Sequence, residues 1–186
     1  MVILNEVIGR SAHPPTTTLR VVEVDANHGK AVLGNMLLAV WRKETTLPAF
    51  QRMDALIQEI LGQHPKGVGV LQAIEKTAVP PDADTKREFV RNAQQGEGRV
   101  VHFSVVHEAT GFHAAIVRAI MSGVYMFARP KFPHMVFSSL ADAAAWHVQQ
   151  QRRIAQPAFS EAELVSAVHA LQSYVSSHVE GDELRY

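Results

Sequence analysis

The chain has 186 residues, eighteen basic and eighteen acidic side chains, 47% hydrophobic residues and no cysteine. That length and balance fit one globular domain rather than a disordered chain. The missing cysteines exclude disulfides, thiolate catalysis and thiolate-held metal, and the cancelled charge leaves no electrostatic footprint for nucleic acid.

Residues 1–18 read as an N-terminal arm, because Pro14 and Pro15 disfavour regular pairing. The start MVILNEVIGRSAHPP lacks a basic beginning and a long apolar core. It is a poor secretion signal, so a cytoplasmic setting is expected. RVVEVD (20–25) opens the first strand, Asn27, His28 and Gly29 supply a turn, and GNMLLAVW (34–41) is the second strand. Strands joined this closely should be antiparallel. A helix then starts at Thr45 or Thr46 with Pro48 in its first turn. Its apolar face carries Phe50, Met53, Leu56, Ile57, Ile60 and Leu61, and Gly62 and Pro65 end it.

GVGVLQAI (67–74) is apolar on both alternating faces, the pattern of a central strand covered on both sides. DADTKREFVRNA is a shorter helix with Phe89, Val90 and Ala93 inward. RVVHFSVVH (99–107) is the next strand, on which His102 reads as a half-buried, hydrogen-bonded side chain. Thr110 is placed to cap the following helix. The apolar stretch AAIVRAIMSGVYMFA (114–128) is too short to span a bilayer and carries Arg118 at its middle. HMVFS (134–138) is a short strand. Ser139 caps ADAAAWHVQQ with Asp142 three residues on, and 151–158 reads as a linker. Ser160 and Glu163 have capping-box spacing, with Phe159 and Leu164 placed as a hydrophobic staple for a C-terminal helix over 159–179. Leu164, Val168, Leu171 and Val175 give that helix a narrow apolar stripe.

The expected fold is therefore α/β, a single mixed sheet in the order β-β-α-β-α-β-α-β-α over 19–150, plus the additional C-terminal helix. The segments LLAVWRKETTLPAFQRM, GVGVLQAIE and GFHAAIVRAIMSGVYMFARPKFPHMVFSSLADAAAW carry a resemblance. Residues 18 to 150 resemble STAS domains, the fold of bacterial anti-sigma-factor antagonists, and more narrowly the divergent STAS-like proteins that stand alone in bacteria. The resemblance implies a regulatory module that docks a protein partner. Such domains carry an Asp-Ser pair where the central strand feeds the second helix, and its hydroxyl is phosphorylated. Here that passage is EKTAVPPDADTK, with Thr77 and Thr85 but no Asp-Ser.

Ligands of open α/β sheets gather beyond the carboxyl ends of the strands. Glu75, Lys76 and Thr77 should meet His107, Glu108, Thr110 and His113 there, beside Ser138 and Ser139. HEATGFH is not HExxH, and its histidines do not share a helix face, so no metal and no cofactor is expected. The apolar helix is the stronger hint. With so little polar surface it should be buried on two sides, by the sheet and by the C-terminal helix, a second subunit or an apolar ligand. Arg118, Met121, Tyr125, Met126 and Phe127 are its interface or ligand candidates. The leading expectation is a non-enzymatic regulatory and protein-interaction module. It would be a homodimer that uses a helix face and the strand-end loops, with no nucleic-acid or membrane partner. The alternative is a carrier or sensor of a small apolar ligand or lipid, with a cavity under the helix over 111–128. An enzyme using His107 and Glu108 ranks third.

Overall fold

The computed structural model describes residues 18–107, 111–156 and 159–183, with the side chains of 112–114 and 179–183 outside the description. Its elements are β1 (Leu19–Val24), β2 (His28–Leu33), β3 (Met36–Trp41), α1 (Leu47–Gln63), β4 (Val68–Ile74) and α2 (Ala83–Gln95). They continue with β5 (Val100–Val106), α3 (Phe112–Ala128), β6 (His134–Phe137), α4 (Leu140–Arg153) and α5 (Glu161–Glu183). One mixed sheet of six strands runs in the order β1-β2-β3-β4-β5-β6. β1 to β3 form an antiparallel meander, and β3 to β6 are parallel.

The α/β class and the single mixed sheet match the expected fold, with one strand added. β2 occupies the segment read as a turn and its aftermath. The chain instead reverses at Asp25–Asn27, where the Asp25 carboxylate accepts from the backbone N–H groups of Asn27 (2.7 Å) and His28 (2.8 Å). It reverses again at Gly34 and Asn35, a two-residue hairpin with Gly34 at φ 57°. β2 was hidden because His28 and Lys30 break the apolar pattern of its sequence. Both are buried, and both bond the Glu23 carboxylate. The Lys30 ammonium lies 3.0 Å from Glu23 Oε1 and 5.6 Å above the Trp41 ring. His28 Nε2 lies 2.8 Å from the same carboxylate, and its ring stacks on Trp41. Burial pulls the Lys30 pKa down, and the Glu23 carboxylate opposes that shift.

Each parallel connection steps to the next strand in the same direction. Right-handed crossovers of that kind put α1, α2 and α3 on one face of the sheet. Their apolar sides meet the sheet around Trp41, Phe50, Leu56, Val70, Phe89 and Val124. The other face must be covered from elsewhere. α4 lies on β5 and β6, and α5 lies across β1, β2 and β3 and against α4. There Leu164, Val168, Leu171 and Val175 bury against Leu38, Val40 and Leu71. Gly29 permits the approach, because a Cβ there would stand 2.7 Å from Val175 Cγ2 and 2.9 Å from Leu171 Cδ1.

This topology corrects the expectation for the apolar helix. α5 lies on the opposite face and cannot cover α3. α3 buries Met121, Val124 and Ala128 but exposes Ala115, Arg118 and Ala119, and Met126 and Phe127 are 64% and 69% exposed. Its N-cap is Gly111, with no side-chain capping bond, rather than Thr110, which lies outside the described residues. Thr46 and Ser139 cap as read from the sequence, and Asp82, which the sequence reading did not single out, caps α2; each accepts from an N–H group three residues on. Ser160 and Glu163 bond each other reciprocally, and Phe159 and Leu164 are buried in one cluster. α4 runs through Arg153, so its last turn takes the first residues of the expected linker.

Candidate functional site

The parallel strands end together on one edge of the sheet. Glu75, just past β4, donates its N–H to Trp41 O at the end of β3 (2.9 Å), and His107, just past β5, donates to Phe137 O at the end of β6 (3.0 Å). The loop after β4 is tied back where Val79 donates to Lys43 O (2.8 Å). Two hollows open along this edge, one on each face of the sheet.

The larger hollow lies on the α4 and α5 face and has a volume of about 250 Å³. Its floor is apolar, from Ala73, Val106, Leu140 and Val168, and its rim is Arg42, Glu75, Lys76, Thr77 and Gln172. Arg42 Nε stands 3.6 Å from Glu75 Oε2, and its guanidinium also donates to Ser176 Oγ of α5. Burial raises the Glu75 pKa, and Arg42 opposes the rise. Thr77 Oγ1 donates to Arg42 O (2.6 Å), which fixes the loop against the end of β3. Leu140 opens α4 immediately after its cap Ser139, so the helix N-terminus adds partial positive charge at the edge of the hollow. With Arg42 and Lys76 against Glu75, the rim carries a net positive charge.

The smaller hollow lies on the other face, beneath α3, with a volume of about 50 Å³. Trp41, Gln72 and Phe89 meet Ile116, Val117 and Ile120 there, with the Val79–Pro81 stretch at one side. His107 lines it. The ring is buried, and its Nδ1 stands 2.8 Å from Ile74 O. A carbonyl only accepts, so Nδ1 carries the proton and donates.

The expected strand-end cluster is thus divided by the sheet. Glu75, Lys76 and Thr77 stand together on one face, and His107 lines the hollow on the other. Glu108 and Thr110 lie outside the described residues, and His113 is placed on the first turn of α3 without a described side chain. Thr85 is fully buried in the first turn of α2, whereas Thr77 is exposed. Of the α3 candidates, Arg118, Met126 and Phe127 face solvent. Met121 is buried. Tyr125 packs on His134 (4.0 Å between ring centroids), and burial holds its phenol pKa above the ordinary value. Arg42 and Gln172 were not found from sequence. Arg42 directly follows a strand of the parallel set, which is a usable signal. Gln172 enters through α5, whose position no local pattern discloses.

A second polar constellation was also missed. Ser104 Oγ lies 2.6 Å from His147 Nε2, and His147 Nδ1 lies 2.8 Å from His102 Nδ1. The order serine, imidazole, imidazole has the connectivity of a nucleophile and base. All three residues are 0% exposed, so no substrate reaches the hydroxyl. His102 is hydrogen-bonded as expected, through Nδ1 to His147, but it is fully buried rather than half-buried, and its Nε2 has no partner among the described residues. Burial pulls His102 down to about 4 and His147 well below the ordinary histidine value, with the His102 ring adding to the latter. One further network sits on the same side: Gln151 donates to Asn35, which donates to Gln156 and to Gly67 O.

No helix is long and apolar enough to cross a membrane among the described residues. Comparisons with protein-family models, curated proteins and solved structures return no match for this chain.

Proposed function

We propose that the protein is a non-enzymatic regulatory module of the STAS-like type, which responds to a small organic anion held at the carboxyl ends of its parallel strands. The observation that carries this reading is the hollow of about 250 Å³ with a cationic rim and an apolar floor. Binding sites for small molecules are concave, mostly apolar and equipped with a few placed polar groups. A carboxylate carrying a short hydrocarbon body matches that pattern, with its charge at Lys76 and Arg42 and its body on Val106, Leu140 and Val168. Binding rather than chemistry is supported by the burial of Ser104, His147 and His102, which are sealed from any such ligand.

The test is isothermal titration with acetate, butyrate, succinate and benzoate. Butyrate or benzoate should bind more tightly than acetate, and Lys76→Ala should weaken that binding about tenfold, since Lys76 is exposed and the change should leave the fold intact. No heat from any of the four, or equal affinity in Lys76→Ala, would overturn the reading.

A second reading, self-association, is favoured by Met126 and Phe127, which are large, apolar and exposed at the end of α3. α3 packs Tyr125 on His134 of β6, and β6 ends the sheet with no described strand on its outer side. Open strand edges and exposed apolar side chains both favour association. Light scattering should show a dimer that Phe127→Glu dissociates, and a wild-type monomer at high micromolar concentration would remove this reading.

A further inference from the structure

We infer that the smaller hollow under α3 is a second ligand site, which takes a compact apolar molecule bearing one hydrogen-bond donor, such as a short alcohol. This does not rest on the anion site, which lies on the opposite face of the sheet. Two independent observations carry it. The first is the hollow itself, in which Trp41 and Phe89 of the sheet-side core face Ile116, Val117 and Ile120 of α3. The second is His107, whose ring lines the hollow and is 5% exposed.

The polarity of the ligand follows from the tautomer. Nδ1 donates to Ile74 O, so in the neutral ring Nε2 holds a lone pair and accepts. Nε2 is buried and has no partner among the described residues. A buried acceptor left without a donor costs about 1–3 kcal/mol, and a hydroxyl or N–H supplied by a ligand removes that penalty. A ketone or ether of the same shape brings no donor and leaves it in place. Size sets the second limit. A hydrocarbon-lined cavity of about 150 Å³ accepts benzene, so a volume of about 50 Å³ suits a short alkyl group rather than an aromatic ring.

Two-dimensional ¹H–¹⁵N NMR of the full chain tests this with ethanol and its isomer dimethyl ether, which differ in the donor and hardly in size. Ethanol should shift the His107 ring nitrogen signal and the amides of β4 and α3 in a saturable way. Dimethyl ether should bind at least tenfold more weakly, and Ile120→Phe, which fills the hollow, should abolish the response to ethanol. Equal responses to the two probes, non-saturating shifts spread over the surface, or an undiminished response in Ile120→Phe would overturn the inference. If Ile120→Phe fails to fold by circular dichroism, the alcohol and ether comparison on the wild-type chain decides alone.

Discussion

The two faces of the sheet are built to different standards. On the α4 and α5 face, helices close down until Gly29 is needed to let α5 through, and polar groups bond one another in full burial. On the opposite face, α1 is well seated, but α3 leaves about half its circumference to solvent. The contrast follows from chain order. α1, α2 and α3 are crossovers, each obliged to lie beside the strands it connects. α4 and α5 follow the last strand and are free to settle where apolar surface remains. Stability should therefore reside mainly in the α5 face, and adaptability in α3.

The largest effect that sharpens this contrast is Leu171→Ala. Leu171 is 0% exposed in the cluster beneath α5, and truncating such a side chain costs about 2–5 kcal/mol. Urea unfolding should register that loss, and a cost under about 1 kcal/mol would show that α5 is a loosely held appendage. Next comes pH. His102 holds about 4 in the folded chain against the ordinary 6.5. Above the unfolded value both states are neutral and the histidine contributes no pH dependence. Below it the unfolded chain binds the proton first, so stability falls as pH drops from 6.5 and levels off below about 4. The loss from His102 alone is about 3 kcal/mol, and the lowered His147 adds to it in the same direction. Equilibrium unfolding across that window that shows no slope would refute the sealed imidazole pair. The smallest effect belongs to α3. Phe127→Ala removes a 69% exposed ring and should change stability by less than about 0.5 kcal/mol. A larger cost measured on the dilute monomer would mean that α3 is better covered than its exposure indicates.

Much of this architecture was legible where the signal is local. Thr46 with Pro48 announces α1, Ser160 with Glu163 announces α5, and the run from Val68 to Ile74 is apolar on both sides because helices lie on both sides of β4. β2 was not legible, since Lys30 reads as a surface residue until Glu23 and Trp41 are placed around it. The site was half legible. Glu75, Lys76 and Thr77 share a rim because they are neighbours in sequence, but alternation along the chain cannot say which face of the sheet a loop residue will serve, so His107 was grouped with the wrong partners. The apolar helix misled for a related reason. Hydrophobicity records how much a helix is willing to bury, whereas topology decides what is available to bury it. His102 and His147 are 45 residues apart and meet only because α4 returns over β5.

Ile74 is a wall common to both hollows, and its carbonyl is gripped by the imidazole of the neighbouring strand. A guest that displaced that residue from one side would reshape the chamber on the other. Were both chambers filled, neither occupant would be indifferent to its neighbour. Whatever factor one imposes on the other's affinity must be returned in full.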